Sequence, residues 1–193
     1  MNKNQPWNVL RFRGTGSWNS ITFKSNTAVI DNGVSPYWPH SVIFTTAAAH
    51  GLVAGSAITL DGTTHYDGTY KILSVPTTTT MIVESVYIAE TLTTTDTFKL
   101  TLAPKQAFEF GGFRLHLNAA SATSENLTIN VDAGAGDDIY DTNLYTKNMN
   151  TIQNIEWNLK DAPMSFDKND ELDFAWGNSN SKTYGLEVFW RRI

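Results

Sequence analysis

Four residues in one short stretch could do chemistry together. His50, Asp61, His65 and Asp67 fall within AAHGLVAGSAITLDGTTHYDGTY, from Ala48 to Tyr70. Two imidazoles and a carboxylate can bind zinc or exchange protons. Either task needs the side chains to converge on one point. His50 and His65 stand in separate glycine-flanked loops with an expected strand between them. There is no HxH or HExxH pair, and His40 and His116 have no acidic neighbour in sequence. The glycines argue for turns. Gly51 and Gly55 bracket a tight turn into the strand Ala57–Leu60. Asp61-Gly62 and Asp67-Gly68 mark positions that need φ > 0. His50 is therefore expected to hold a turn through a ring hydrogen bond to backbone. Tyr66 and Tyr70 are expected to cover a small core.

Two further acidic groupings could bind or react. Asp132-Ala133-Gly134-Ala135-Gly136-Asp137-Asp138, with Asp141 nearby, could offer oxygens to calcium. Its spacing does not follow the EF-hand loop, and the simpler reading of Asp132–Asp141 is a polar, glycine-rich turn. Asp137, Asp138, Asp170 or Glu171 could supply the two carboxylates of a glycosidase, which must face each other across ~5–9.5 Å. Adjacent acids are also ordinary in turns. No nucleophile elbow, phosphate-binding loop or dinucleotide fingerprint is present. With no cysteine there is no thiolate and no Cys-ligated zinc. The expectation is a protein that is not an enzyme, with no catalytic, cofactor-binding or metal-binding residue and no cofactor.

The elements that carry these residues read as strands. Of 193 residues, 41% are hydrophobic and only 17% charged, against roughly 25% charged in an average globular protein. Mean hydropathy is −0.26. Thr, Ser and Asn provide the polar surface, which suits strands with one wet face. Apolar residues alternate through Phe98–Leu102, Phe113–Asn118, Asn126–Asp132, Ile155–Leu159, Leu172–Trp176 and Leu186–Trp190. A period of two means half-buried strands in antiparallel sheets. Ala103-Pro104, Gly111-Gly112, Ala162-Pro163 and Gly177-Asn178-Ser179-Asn180 punctuate them. The fold class expected is all-β: an antiparallel, jelly-roll-like β-sandwich over residues 97–193.

Residues 28–92 read as a small β-barrel-like module, with strands Ser41–Thr45, Ser56–Leu60, Thr69–Val75 and Met81–Tyr87. Thr77–Thr80 is a loop between two of them, and Leu92–Asp96 a candidate linker. Residues 1–27 carry Trp7, Leu10, Phe12, Trp18, Ile21 and Phe23. They are too apolar for a free arm and should pack on the sandwich or on a neighbouring subunit. Trp157, Trp176 and Trp190 fall in phase with Leu and Val and should be core. Trp7, Trp18, Tyr37 and Trp38 fall outside clear alternation and are candidates for contact with a partner, either a glycan or a protein.

The net charge of −5 argues against a general affinity for nucleic acid, which needs clustered Lys and Arg. Arg11, Arg13, Arg191 and Arg192 are local exceptions, read as interface or solvated charges. No apolar signal core or run of ~20 apolar residues is seen, so no membrane is expected among the partners. The sequon Asn126-Leu127-Thr128 means little without a secretion signal.

The opening stretch also carries a resemblance. Thr45-Thr46-Ala47-Ala48-Ala49-His50-Gly51-Leu52, then Gly55, Ile58-Thr59-Leu60, Tyr66-Asp67-Gly68-Thr69-Tyr70 and Val75, resembles a pattern in small β-modules of tailed-bacteriophage virion proteins. The module is similar to the first catalytic-cysteine half-domain of ubiquitin-activating enzymes, where it is a scaffold without catalytic residues. Gly111–Met149 and Asn169–Ile193 look like the sandwich domains of phage structural proteins. The resemblance implies a structural component of a tailed-phage particle, made in the host cytoplasm and located in the virion. Its partners would be copies of itself, as a homo-oligomer in a ring or lattice, and other virion proteins. Tail or head–tail region stands ahead of capsid decoration. The alternative is a module that binds carbohydrate or a receptor on the host surface, with Trp38 as its contact.

Overall fold

The computed structural model describes residues 5–18, 21–24, 27–32, 40–93, 97–134 and 138–193. Its strands are β1 (Asn8–Gly14), β2 (Ile21–Thr22), β3 (Thr27–Ala28), β4 (Ile30–Asp31), β5 (Ser41–Thr45), β6 (Ala57–Asp61), β7 (Gly68–Thr77), β8 (Thr80–Glu84) and β9 (Thr91–Leu92). They continue as β10 (Thr97–Leu102), β11 (Phe108–Leu117), β12 (Asn126–Asp132), β13 (Thr142–Asn148), β14 (Asn154–Asn158), β15 (Met164–Phe166), β16 (Glu171–Ala175) and β17 (Tyr184–Arg192). One 3-10 turn, Asp138–Tyr140, precedes β13.

The protein is all-β, built of antiparallel sheets in a sandwich arrangement. One sheet has the order β1-β17-β11-β14, with β15 also on β11. The other runs β13-β12-β16-β10-β6-β7-β8-β5-β4, with β2 also on β10. A ribbon of β3 and β9 completes the set. Alternation sets the faces. In β12, Leu127, Ile129 and Val131 are buried, while Thr128 and Asn130 are only partly so. Between the sheets, the rings of Phe12 and Phe110 lie 6.5 Å from that of Phe174, and Phe113 lies 6.3 Å from it. Phe113 meets Tyr145 edge-on at 5.3 Å. Such edge contacts suit the ring quadrupoles and add to the burial itself.

β1 pairs with β17 along its whole length, from Asn8↔Trp190 to Gly14↔Tyr184. The N-terminal segment thus adds a strand to the sandwich and buries Phe12 and Trp18. The small module does not close on itself. No sheet among the described residues closes into a barrel. β6 pairs with β7 on one side and with β10 on the other, so the module's strands extend the second sheet.

β8 ends at Glu84, short of the Tyr87 expected from sequence. The Tyr66 hydroxyl accepts a hydrogen bond from the Ile88 N–H and donates to the Ile88 carbonyl, both at 2.7 Å. It takes the place of a partner strand there. Leu92, at the head of the expected linker, is fully buried in β9, and residues 94–96 lie outside the described residues.

Candidate functional site

His50 is fully buried. Its Nδ1 accepts the Leu52 N–H at 3.1 Å, and its Nε2 faces the Thr80 carbonyl at 3.4 Å. The first contact requires an unprotonated Nδ1, so the neutral ring carries its proton on Nε2 and points it at Thr80. Burial pushes the imidazole below its ordinary pKa, against a smaller upward pull from the Thr80 carbonyl. Around the ring, the tip of the β7–β8 hairpin docks on the loop. The His50 N–H donates to the Thr78 carbonyl at 3.1 Å, and the Thr46 N–H to the Thr79 carbonyl at 2.8 Å. Gly51 has φ +63°. Its carbonyl accepts the Thr15 N–H at 2.7 Å, and a side chain on Gly51 would collide with the backbone of Gly16. Leu52 packs into the core. The three residues His-Gly-Leu thus fasten a turn, admit a crossing strand and anchor both in the core.

The other three candidates lie elsewhere in the module. The Asp67 carboxylate accepts the Thr63 N–H and hydroxyl, both at 2.8 Å, closing the loop Thr63–Asp67 that follows Asp61-Gly62. His65 sits at the surface, with Nδ1 3.4 Å from Glu90. The Glu90 carboxylate also accepts the N–H groups of Thr64 and His65. Asp61 ends β6. No group of three or more His, Asp or Glu side chains among the described residues is arranged to hold a metal ion.

The acidic loops behave similarly. Asp141 accepts the Ala133 N–H at 2.8 Å, closing the loop after β12. Asp170 accepts the Asp167 N–H at 2.8 Å, and Glu171 pairs with Lys105 at 3.0 Å. Asp137 lies outside the described residues, as do Gly136, Tyr37, Trp38 and Pro39.

The aromatic candidates divide. Trp18, a candidate for partner contact by sequence, is 1% exposed and edge-on to Trp176 at 5.5 Å and to Tyr184 at 5.1 Å. It belongs to the core, and its backbone N–H donates to the Trp176 carbonyl at 2.8 Å. Trp7 lies against Gly111 and under the Arg191 guanidinium at 4.6 Å. Arg191 in turn pairs with the well-covered Glu109. Trp176 is core, and Trp157 and Trp190 are half-buried against it.

Several residues with a part in this geometry escape sequence reasoning. Glu90 holds the His65 loop across twenty-five residues of chain separation. Asn178, 3% exposed, donates to the carbonyls of Thr15 and Lys182, both at 2.9 Å. The run Gly177-Asn178-Ser179-Asn180 marks a turn, but nothing in it announces that the turn grips the N-terminal segment.

Fold and site together define an antiparallel β-sandwich protein whose reactive residue types build turns. No family model matches the chain, and neither a curated protein nor a solved structure matches it.

Proposed function

We propose that this chain is a non-enzymatic structural component of a tailed-bacteriophage particle. It assembles in a ring or lattice through contacts with copies of itself and with other virion proteins, in the tail or head–tail region. One observation carries the reading: His50, Asp67, Asp141 and Asp170 each accept a backbone N–H. Side chains that could turn over a substrate are committed to holding loops. The Thr45–Val75 pattern adds the resemblance to virion modules.

Quantitative mass spectrometry of particles purified from a lysate of the phage that encodes the chain tests this. The expected result is co-purification at many copies per particle. Recovery of the chain only in the particle-free supernatant contradicts it.

A further inference from the structure

The two most exposed large apolar side chains among the described residues are neighbours. Ile139 and Tyr140 are 86% and 66% exposed, in the 3-10 turn between β12 and β13. Tyr140 borders a cleft of about 690 Å³, within the ~300–1,000 Å³ range of small-molecule sites. Val131, Leu144 and Phe166 give the cleft its covered, apolar lining. Phe166 is itself stacked on Phe108 at 5.2 Å. Asp167, Lys168 and Asn169, all exposed, form a polar rim. Other rings are less accessible: Phe189 is already faced by Lys160 at 3.6 Å and Trp7 by Arg191 at 4.6 Å. Tyr140 has no ring contact or hydroxyl partner among the described residues.

Both loops that border the cleft are fastened. Asp141 accepts the Ala133 N–H at 2.8 Å, which closes the β12–β13 loop. In the β15–β16 turn, the Asp170 carboxylate accepts the Asp167 N–H at 2.8 Å, and the Asp170 N–H donates to the Asp167 carbonyl at 3.3 Å. Asn169 takes φ +82°, a region that Asn enters more readily than most residues. Gly134 lets the two loops meet, since a Cβ there would stand 3.1 Å from that of Asn169. The turn is thus held by Asp170 while its other side chains stay uncommitted. The Asp167 carboxylate, the Lys168 ammonium and the Asn169 amide have no hydrogen bond or ion pair among the described residues.

We propose that this cleft binds a short neutral saccharide. The Tyr140 ring presents a negative π face, which suits the C–H face of a sugar ring. The rim combines a carboxylate that only accepts, an ammonium that only donates and an amide that does both. Sugar hydroxyls donate and accept, so one polyol can satisfy all three. A phosphate or sulfate would meet the Asp167 and Asp170 carboxylates instead. A free cation would meet Lys168, and no metal-binding group of three or more His, Asp or Glu is present among the described residues. Because the turn already holds its rim groups outward, little ordering is left for binding to impose. The site needs no second copy, so it stands or falls apart from the assembly reading.

NMR titration of the isotope-labelled full chain with lactose, maltose, cellobiose and chitobiose tests the proposal. At least one of these sugars is expected to shift the amide signals of Tyr140, Leu144 and Asn169 saturably. Tyr140→Ala should weaken that binding about 10-fold, since the stacking face is lost. Asn169→Gly should weaken it about 5-fold, because it removes the amide yet keeps the positive φ. Both positions are exposed, and circular-dichroism melts matching the wild type check that the variants fold. Lactose sulfate and trialanine are the charged and peptide controls, and both should bind more weakly than the sugar. No saturable shift with any of the four sugars overturns the proposal. So does binding that neither variant weakens, or tighter binding of lactose sulfate or trialanine at the same signals.

Discussion

His50 shows how a residue type that suggests chemistry can be held to structure. Its ring has a buried N–H acceptor role and a buried donor role, and both are taken by backbone. Protonating Nδ1 would break the Leu52 contact and place a charge in the core. Burial lowers the folded-state pKa below 6.5, so an unfolded chain takes up its proton first as pH falls. The stabilisation from neutral His50 is therefore complete above 6.5 and is lost progressively below it. Thermal melts from one unit above to one unit below that value should show a fall in Tm for the wild type that is smaller in His50→Gln. Equal falls would remove His50 from the account. Gly51→Ala should cost more than about 1 kcal/mol in urea unfolding, since φ is +63° and the added methyl meets the Gly16 backbone. Gly55→Ala, also at positive φ, meets only the end of the Arg13 side chain and should cost less. The turn role of His50 and the positive φ of Gly51 were legible in sequence, because glycine beside a strand start has a local cause. The close approach of Gly16 was not, because it joins residues far apart in the chain.

At the level of elements, alternation revealed most strands because one face of each is buried. Asn126–Asp132 is a clean case, with Leu127, Ile129 and Val131 inward. β13 was missed for the opposite reason. It is an edge strand whose sequence, TNLYTKN, is mostly exposed on both faces, and a register shift interrupts its pairing with β12. A bulged polar edge also resists pairing with stray strands. The segment before β2 misled in another way. Trp18 looks unpatterned in sequence, yet it fills the space between Trp176 and Tyr184. Trp18→Ala should destabilise the protein by about 3–5 kcal/mol in denaturant titration. A loss under 1 kcal/mol would mean that the segment is not part of the core. β10 pairs with β6 through Thr97–Lys99 and with β16 through Leu100–Leu102. One strand thus ties the module to the sandwich. Calorimetry should give a single cooperative transition, and two separated transitions would show that the tie is weak.

For the whole molecule, one outer cross-strand row alternates in sign, Arg11, Glu187, Arg114 and Glu156, within a chain of net charge −5. Composition alone hides this, because these residues are scattered along the chain and form a row only when β1, β17, β11 and β14 come together. Arg11 and Arg13 read in sequence as interface or solvated charges, but their partners, Glu187 for Arg11 and the Ala54 carbonyl for Arg13, lie far off in the chain. The central claim is that the chain is a repeated structural part of a phage particle. An electron-microscopy reconstruction of the purified particle tests it most directly. The account predicts density for this sandwich in many symmetry-related copies in the tail or head–tail region. A reconstruction with every density assigned to other chains, and none that fits this fold, would contradict it.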